Sequence, residues 1–273
     1  MWTQWLDRWR QRRENAALAR RAIPEALWRR TLKRFAFLPR ADTLEGVELR
    51  RLTSLFLDRK EFTGAHGLVV TDDMAVAIAA QACLPVLRLG LSAYDDFVGI
   101  VVHPGLARVR REIADDDGVV HEYEETLSGE TVQGGPVMLS WRDVRSAGAK
   151  ASQAYNVVIH EFAHVLDMAD GVPDGMPRLP LDISPTEWRS TFDEAYLAFC
   201  RAVDAGEATV VDPYGASSED EFFAVTSEAF FVAPEGLLAE HPAVYGLLQR
   251  YFKQDHLARL LSSADSRSAT AQA

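Results

Sequence analysis

The residues best suited to chemistry lie in one short motif inside an apolar stretch. His160 and His164 flank Glu161 in the order H-E-x-x-H, with aliphatic residues on both sides. In a helix, residues four apart are separated by about 40° around the axis, so both imidazoles would project from one face. Two imidazoles suit a zinc ion, and the glutamate between them could take a proton from an activated water. The spacing therefore predicts water-activated hydrolysis.

The alternative for this motif is purely structural. Two histidines in a buried helix could be core residues that bond to backbone or carboxylate groups. A buried His-Glu-His cluster without a function would leave several polar groups that need partners. This cost favours a metal site over two core histidines.

A metal site of this kind needs a third protein ligand, and one alternative is Asp170. Metzincins place the third ligand at the end of H-E-x-x-H-x-x-G-x-x-H, where the glycine turns the chain back. Here those two positions are Asp167 and Asp170. Without the glycine we expect the chain to stay helical, and Asp170 would then point about 240° away from His164. The sequence therefore favours a ligand from elsewhere.

The better alternatives are three consecutive acids, Glu219, Asp220 and Glu221. A carboxylate on a second helix could approach the histidine pair across a cleft and leave the fourth position for water. Spacing alone does not separate the three. Glu221 could also be the N3 residue of a capping box that begins at Ser218.

The spacing of apolar residues along the chain predicts the helices and strands that carry these residues. Helices are predicted over residues 2–34 in two pieces that separate at Pro24, and then over 45–60, 74–83, 151–168, 184–203, 218–231 and 234–261. Thr71 and Ser184 are N-cap signals. Short β-branched runs predict strands over 97–103, 118–122 and 136–140, hence a small sheet. The pattern predicts one α+β domain with an N-terminal helical extension.

The N-terminal extension differs in charge from the rest of the chain. Residues 1–60 carry 15 basic and 7 acidic side chains, whereas the remaining residues carry 14 and 33. Trp2, Trp5 and Trp9 fall at helical spacing in this basic segment. The ordinary interpretation is a basic helix that docks on an acidic body, and the alternatives are a partner-binding surface or a membrane surface. Because no apolar face is sustained, we expect the tryptophans to pack on the domain or on a partner.

The composition limits the classes of function. A net charge of −11 argues against a general nucleic-acid binder, because phosphate recognition needs a concentrated positive surface. Cys83 and Cys200 form neither a C-x-x-C pattern nor a disulfide framework. The sequence shows neither an apolar signal segment nor a membrane span. We therefore expect a cytoplasmic protein without direct nucleic-acid contact.

Several motifs follow one another within residues 45–261, namely I-A-A-Q-A-C-L-P at 78–85, G-P-V at 135–137, L-S-W at 139–141, Y-N-V-V-I-H-E-F-A-H at 155–164, L-D-M at 166–168, E-F-F-A-V at 221–225 and S-E at 227–228. In these segments and in their order, residues 45–261 resemble the Mlc titration factor A family of bacterial zinc peptidases. The catalytic part is also similar to the anthrax lethal factor peptidase domain. The resemblance implies a zincin-like domain at 45–261 with an extension at 1–44, and residues 262–273 are predicted to be a disordered tail.

The resemblance also implies roles for individual residues. His160, His164 and Glu221 would bind one zinc ion per chain, and Glu161 would be the general base. The hydroxyl of Tyr214 would stabilise the tetrahedral intermediate. The implied activity is that of a zinc metallopeptidase, similar to an aminopeptidase on short peptides, with a Mlc-type transcriptional repressor as a further partner. The alternative is a non-catalytic protein that sequesters such a repressor, with a mainly structural zinc site.

Two further expectations come from the residues themselves. The segment 135–140 could be an edge strand along which an extended peptide pairs its backbone. Glu228 lies two turns after Glu221, and Asp167 lies one turn after His164, so either could orient a ligand imidazole. Packing or surface roles are the favoured interpretation of both acids.

Overall fold

The computed structural model describes residues 2–105, 107–114, 120–127, 129–131 and 134–261 of the chain. Its helices are α1 Trp2–Arg20, α2 Glu25–Arg34, α3 Leu44–Arg59, α4 Asp72–Ala82, α5 Trp141–Lys150, α6 Val157–Asp167, α7 Pro185–Asp204, α8 Glu219–Val232, α9 Pro234–Glu240 and α10 Pro242–Phe252. Its strands are β1 Glu61–Gly64, β2 Gly99–His103, β3 Ala107–Ala114, β4 Val120–Leu127, β5 Gly129–Thr131 and β6 Val137–Ser140. The α+β class predicted from the sequence is confirmed.

Side-chain caps begin several of these helices where the sequence predicts them. The side chain of Thr71 accepts a hydrogen bond from the backbone N–H of Met74 at the start of α4. Ser184 accepts one from Glu187 at the start of α7, and proline follows as the first helical residue. Both predicted N-caps are confirmed.

Two of the predicted helices are broken into several shorter elements in the structure. The predicted helix 151–168 is broken, because Ala154 has a left-handed backbone (φ 55°) and α6 starts only after Asn156. The predicted helix 234–261 is interrupted at His241, which precedes a proline, and again at Lys253, which is left-handed (φ 54°). Each of these turns uses a non-glycine residue, so the sequence carries no glycine signal for it.

The main sheet has four strands in the order β1-β2-β6-β5. The first three strands are parallel, and β5 pairs antiparallel with β6. The expectation that segment 135–140 forms an edge strand is wrong, since β6 lies between β2 and β5. The edge strands are β1 and β5, and β5 follows the antiparallel pair of β3 and β4 along the chain.

One hydrophobic core includes residues from both the predicted extension and the predicted peptidase domain. Trp28 and Phe35 are as fully buried as Phe162 of α6 and belong to the same cluster. Trp5 and Trp9 of α1 lie outside this core, since they are 60% and 46% exposed. These two tryptophans therefore do not pack on the domain, and packing on a partner, the other expected arrangement, stays a prediction. The predicted tail 262–273 lies outside the described residues.

Within the part of the chain that the structure describes, each helix is too short or too polar to cross a bilayer.

Candidate metal centre

Helix α6 presents both histidines of the motif from a buried position. Asn156 begins the helix, because its side-chain oxygen accepts hydrogen bonds from the backbone N–H groups of Val158 and Ile159, both at 3.1 Å. The helix is apolar and buried on most sides, which fixes its rotation in the core. The rings of His160 and His164 lie one turn apart, with centroids separated by 4.9 Å.

Helix α8 supplies the carboxylate that faces this pair. Ser218 precedes α8 but makes no side-chain hydrogen bond to it, so Glu221 is not the partner of a capping box there. The 3-10 helix Pro213–Ser217 packs tightly on α8, since a Cβ on Gly215 would lie 2.5 Å from Val225. This close approach holds Tyr214 beside the start of α8.

Three side-chain atoms from α6 and α8 form a nearly equilateral triangle. The Nε2 atoms of His160 and His164 are 3.2 Å apart. The Oε2 atom of Glu221 lies 3.1 Å from Nε2 of His160 and 3.5 Å from Nε2 of His164. Neighbouring ligand atoms around a tetrahedral zinc ion, with bonds of about 2.0–2.1 Å, are about 3.3 Å apart. The residues therefore fit a zinc ion.

The carboxylate oxygen of the triangle also lacks an ordinary hydrogen-bond partner. Oε2 of Glu221 is buried and accepts no hydrogen bond from any residue that the structure describes. Burial opposes ionisation of Glu221, but the two adjacent imidazoles outweigh it and hold the pKa of this carboxyl well below its usual range. In the described ranges, His160, His164 and Glu221 are the one group of three or more such side chains close enough to share a metal ion.

Glu161 lies beside the triangle and against strand β5. Its side chain is buried, and the residue is only 3% exposed. The hydroxyl of Thr131 donates a hydrogen bond to Oε2 of Glu161 at 2.8 Å. Burial raises the pKa of Glu161, while the imidazoles of His160 and His164 and the bond from Thr131 act in the opposite direction.

Gly129, like Thr131, is a residue of β5 that lies against Glu161. A Cβ at this position would lie 2.3 Å from Oε1 of the glutamate, so only glycine leaves the carboxylate where it is. The sequence analysis missed both Gly129 and Thr131. A three-residue polar strand has no hydrophobic alternation to reveal it, and its contact with α6 is long-range.

Glu228 is buried against His160, which is the position that its less favoured interpretation requires. It is 2% exposed, and its Oε1 atom lies 2.7 Å from Nδ1 of His160. Its Oε2 atom accepts a hydrogen bond from the backbone N–H of Asn156. Glu228 therefore contacts the ring of His160 from behind the triangle.

Asp167 packs at the other end of α6. It is fully buried, and its Oδ2 atom accepts a hydrogen bond from the backbone N–H of Gly175 at 3.0 Å. Burial raises the pKa of Asp167 to about 7. Its hydrogen bond holds the loop after α6, consistent with the packing role favoured by the sequence.

The remaining sequence candidates lie around the triangle. Tyr214 is 50% exposed, and its ring centroid is 6.3 Å from that of His160. Asp170 accepts a hydrogen bond from Val172 in the loop after α6 and does not join the triangle. Of the three consecutive acids, only Glu221 reaches the histidines.

Two imidazoles and one carboxylate, with a glutamate beside them, form the class of site in which metallopeptidases such as thermolysin hold zinc. The comparison with protein families agrees with this class. The chain belongs to the glucose-regulated metallo-peptidase M90 family, whose model matches residues 6–253. The matched range includes most of the predicted N-terminal extension.

Relatives with similar sequences cover most of the chain. Mlc titration factor A of Pectobacterium atrosepticum is 38% identical over 222 residues, which are 80% of this chain and 82% of the relative. Mlc titration factor A of Serratia proteamaculans is 37% identical over 230 residues, or 82% of this chain and 86% of the relative. The uncharacterized protein slr2042 of Synechocystis is 35% identical over 251 residues, or 91% of this chain and 89% of the relative.

Proposed function

We propose that the protein is a zinc-dependent peptidase that removes residues from the amino termini of short peptides. The observation that carries this proposal is the triangle of nitrogen and oxygen atoms from His160, His164 and Glu221, with Glu161 beside it. Membership of a metallopeptidase family supports the same reaction class. We place the activity in the cytoplasm, where the two unpaired cysteines would stay reduced.

The chain's own residues supply the proton transfers. A zinc ion held by His160, His164 and Glu221 would polarise the scissile carbonyl and lower the pKa of the attacking water. Glu161 takes the proton from that water and delivers it to the leaving amine. Thr131 holds the carboxylate of Glu161 in one orientation through its hydroxyl.

Tyr214 completes the proposed set of catalytic residues. Its phenol ring lies on the side of the His160 ring and is half-exposed, so a substrate could reach its hydroxyl. A phenol donor near the developing oxyanion would stabilise the transition state. This role accounts for a large aromatic side chain that remains accessible beside a buried cluster.

The ligand assignment is tested by comparing neighbouring acids. We expect the Glu221→Gln variant to fall from about one zinc ion per chain to nearly none, because the amide cannot replace an anionic ligand. The Asp220→Asn variant should retain the ion, since Asp220 lies outside the triangle. Elemental analysis after dialysis measures the zinc content, and hydrolysis of alanyl peptides measures the activity. Equal zinc contents in both variants would contradict the assignment.

The N-terminal arm, residues 5–13, supports a second function. We propose that it binds a transcriptional repressor of the Mlc type, the partner named in two of the relatives. Trp5 and Trp9 are exposed on it, and Arg13 stacks on the Trp9 ring with its guanidinium carbon 4.5 Å from the centroid. Tryptophan and arginine are the side chains that dominate protein interfaces energetically.

The body of the protein anchors this arm. Arg20 binds Asp58 of α3 with two hydrogen bonds, at 3.2 and 2.9 Å. Glu14 pairs with Arg51 of the same helix. The arm lies on the N-terminal side of these contacts. It carries four arginines and a single acid, so an acidic surface on the repressor would complement its charge.

Removal of the two exposed indoles tests the second function. We expect the double variant Trp5→Ala, Trp9→Ala to bind a purified Mlc repressor about 10–100-fold more weakly than the native chain. Leu197→Ala, which removes an exposed apolar side chain from α7, is the matched control and should leave the affinity unchanged. Calorimetry measures both dissociation constants. Equal affinities for the native chain and the double variant would rule out the arm as the binding surface.

A further inference from the structure

A chain of buried hydrogen bonds runs from helix α4 to the back of the metal centre. The amide Nδ2 of Asn156 donates to Oε1 of Gln81 at 2.9 Å. The backbone N–H of Asn156 donates to Oε2 of Glu228, and Oε1 of Glu228 contacts Nδ1 of His160 at 2.7 Å. Gln81 and Asn156 are fully buried and Glu228 is 2% exposed. All three lie in segments on which the family resemblance rests, yet the hydrolytic mechanism uses none of them.

The partners in this chain fix the orientation of each amide. Gln81 donates through Nε2 to the carbonyl of Ala77 at 3.0 Å, so its Oε1 must face Asn156. Asn156 uses its own side-chain oxygen to cap α6, so its Nδ2 must face Gln81. A flip of the Gln81 amide would lose two hydrogen bonds, and a flip of the Asn156 amide would lose three.

Glu228 is the acceptor at the end of the chain. One of its oxygens is committed to the backbone N–H of Asn156. The other oxygen faces Nδ1 of His160, and as a carboxylate oxygen it accepts, which assigns the hydrogen of the ring to Nδ1. Nε2 of His160, on the opposite side of the ring, then points its lone pair toward His164 and Glu221.

We propose that Glu228 is a positioning residue for His160 and that Asn156 and Gln81 hold Glu228 in place. The inference rests on the proposed function, because it presumes that Nε2 of His160 binds zinc. A carboxylate behind a ligand imidazole fixes the ring's orientation and raises its basicity. The cap of α6 and the orientation of its first histidine are thus set by the same residue, Asn156.

Replacing Glu228 by glutamine distinguishes a positioning role from simple packing, because it changes the hydrogen bonds and not the shape. The Glu228→Gln variant keeps the shape of the side chain but has one acceptor for two N–H donors, from Asn156 and His160. Whichever donor loses its acceptor then faces an NH₂ group. If His160 is that donor, its ring is driven to carry hydrogen on Nε2, where it blocks the lone pair. If Asn156 is that donor, His160 keeps only a neutral acceptor, which raises its basicity less than a carboxylate does, so zinc binding weakens in either orientation.

The experiment compares zinc affinity with stability. We expect the Glu228→Gln variant to bind zinc about 10–100-fold more weakly in a chelator competition. The downfield proton resonance of the His160 Nδ1–H, bonded to a carboxylate in the zinc-loaded native protein, should shift upfield or disappear. Asp143→Asn is the matched control, since Asp143 is also a buried acid but pairs with Lys150 at 3.3 Å. It should leave both readouts unchanged.

A second variant keeps the inference testable if Glu228→Gln fails to fold. Gln81→Met removes the bond to Asn156 without touching His160, and we expect it to weaken zinc binding less than Glu228→Gln. If Glu228→Gln folds and binds zinc as tightly as the native protein, the positioning role alone is overturned. If Glu228→Gln does not fold, native zinc affinity in Gln81→Met has the same consequence. A native protein without zinc affinity would overturn the proposed function and the positioning role together.

Discussion

Replacing Glu161 by glutamine is expected to lower kcat/KM for peptide hydrolysis by about 10²–10⁴-fold, the range typical of a lost general base. Glutamine has the shape of glutamate and could keep its contact with the Thr131 hydroxyl. It cannot accept a proton from the attacking water. The three atoms of the metal triangle belong to other residues, so the variant should still hold about one zinc ion per chain. Initial rates and zinc content, measured on the same sample, check both expectations.

The control for this substitution is a glutamate far from any proposed role. Glu235 is exposed in the first turn of α9, and Glu235→Gln should leave the rate unchanged. Hydrolysis that persists at the native rate in zinc-loaded Glu161→Gln would contradict the mechanism. The same outcome, together with intact binding of a repressor, would favour the protein's second proposed function over the first.

The elements that position the site were predictable where local signals exist. The N-caps Thr71 and Ser184 start α4 and α7 as their side-chain chemistry predicts. The true start of α6 was missed, because the helical pattern continues through Ala154 without a glycine or proline, although Asn156 is a favoured N-cap residue. Its side-chain oxygen caps the helix, and its contacts with Gln81 and Glu228 hold that cap in the core.

Some residues of the candidate site could likewise be predicted from local sequence signals, and others could not. The four-residue spacing of His160 and His164 predicts their shared face, because both lie on one helix. Glu221 could be separated from Glu219 and Asp220 only by resemblance or by structure, since consecutive helical residues point about 100° apart and nothing local fixes the rotation of α8. The spacing of Glu228 from Glu221 was visible, but its depth and its contact with His160 were not.

Strand β5 is the part of the site with no signal in the sequence. It has three residues, and its pairing with β6 places Gly129 opposite Leu139 and Thr131 opposite Val137. Along the chain it follows the long antiparallel pair of β3 and β4, but it pairs with β6, so its position depends on tertiary pairing. Contacts of this kind are invisible to periodicity and propensity.

The Gly129→Ala substitution is therefore expected to have a large effect for a single methyl group. The added Cβ would lie 2.3 Å from Oε1 of Glu161, 2.6 Å from Cδ and 2.7 Å from Cγ. Such distances require movement, and the backbone of Gly129 is held by its pairing with β6. The side chain of Glu161 is the group that must shift, away from Thr131 and from the position beside the metal triangle.

We expect Gly129→Ala to lower kcat/KM by at least about 10²-fold, the lower end of the range for a general base, with zinc content unchanged. Gly246→Ala is the matched control, because a Cβ there would meet no atom within 4 Å and its backbone is helical. Rates, zinc content and melting temperature should be measured for both variants. Loss of zinc or of the fold in Gly129→Ala would show that β5 supports the whole site. An unchanged rate would show that Glu161 works without the orientation that β5 imposes. Selective loss of the rate requires that the strand, and not α6 alone, fixes the base.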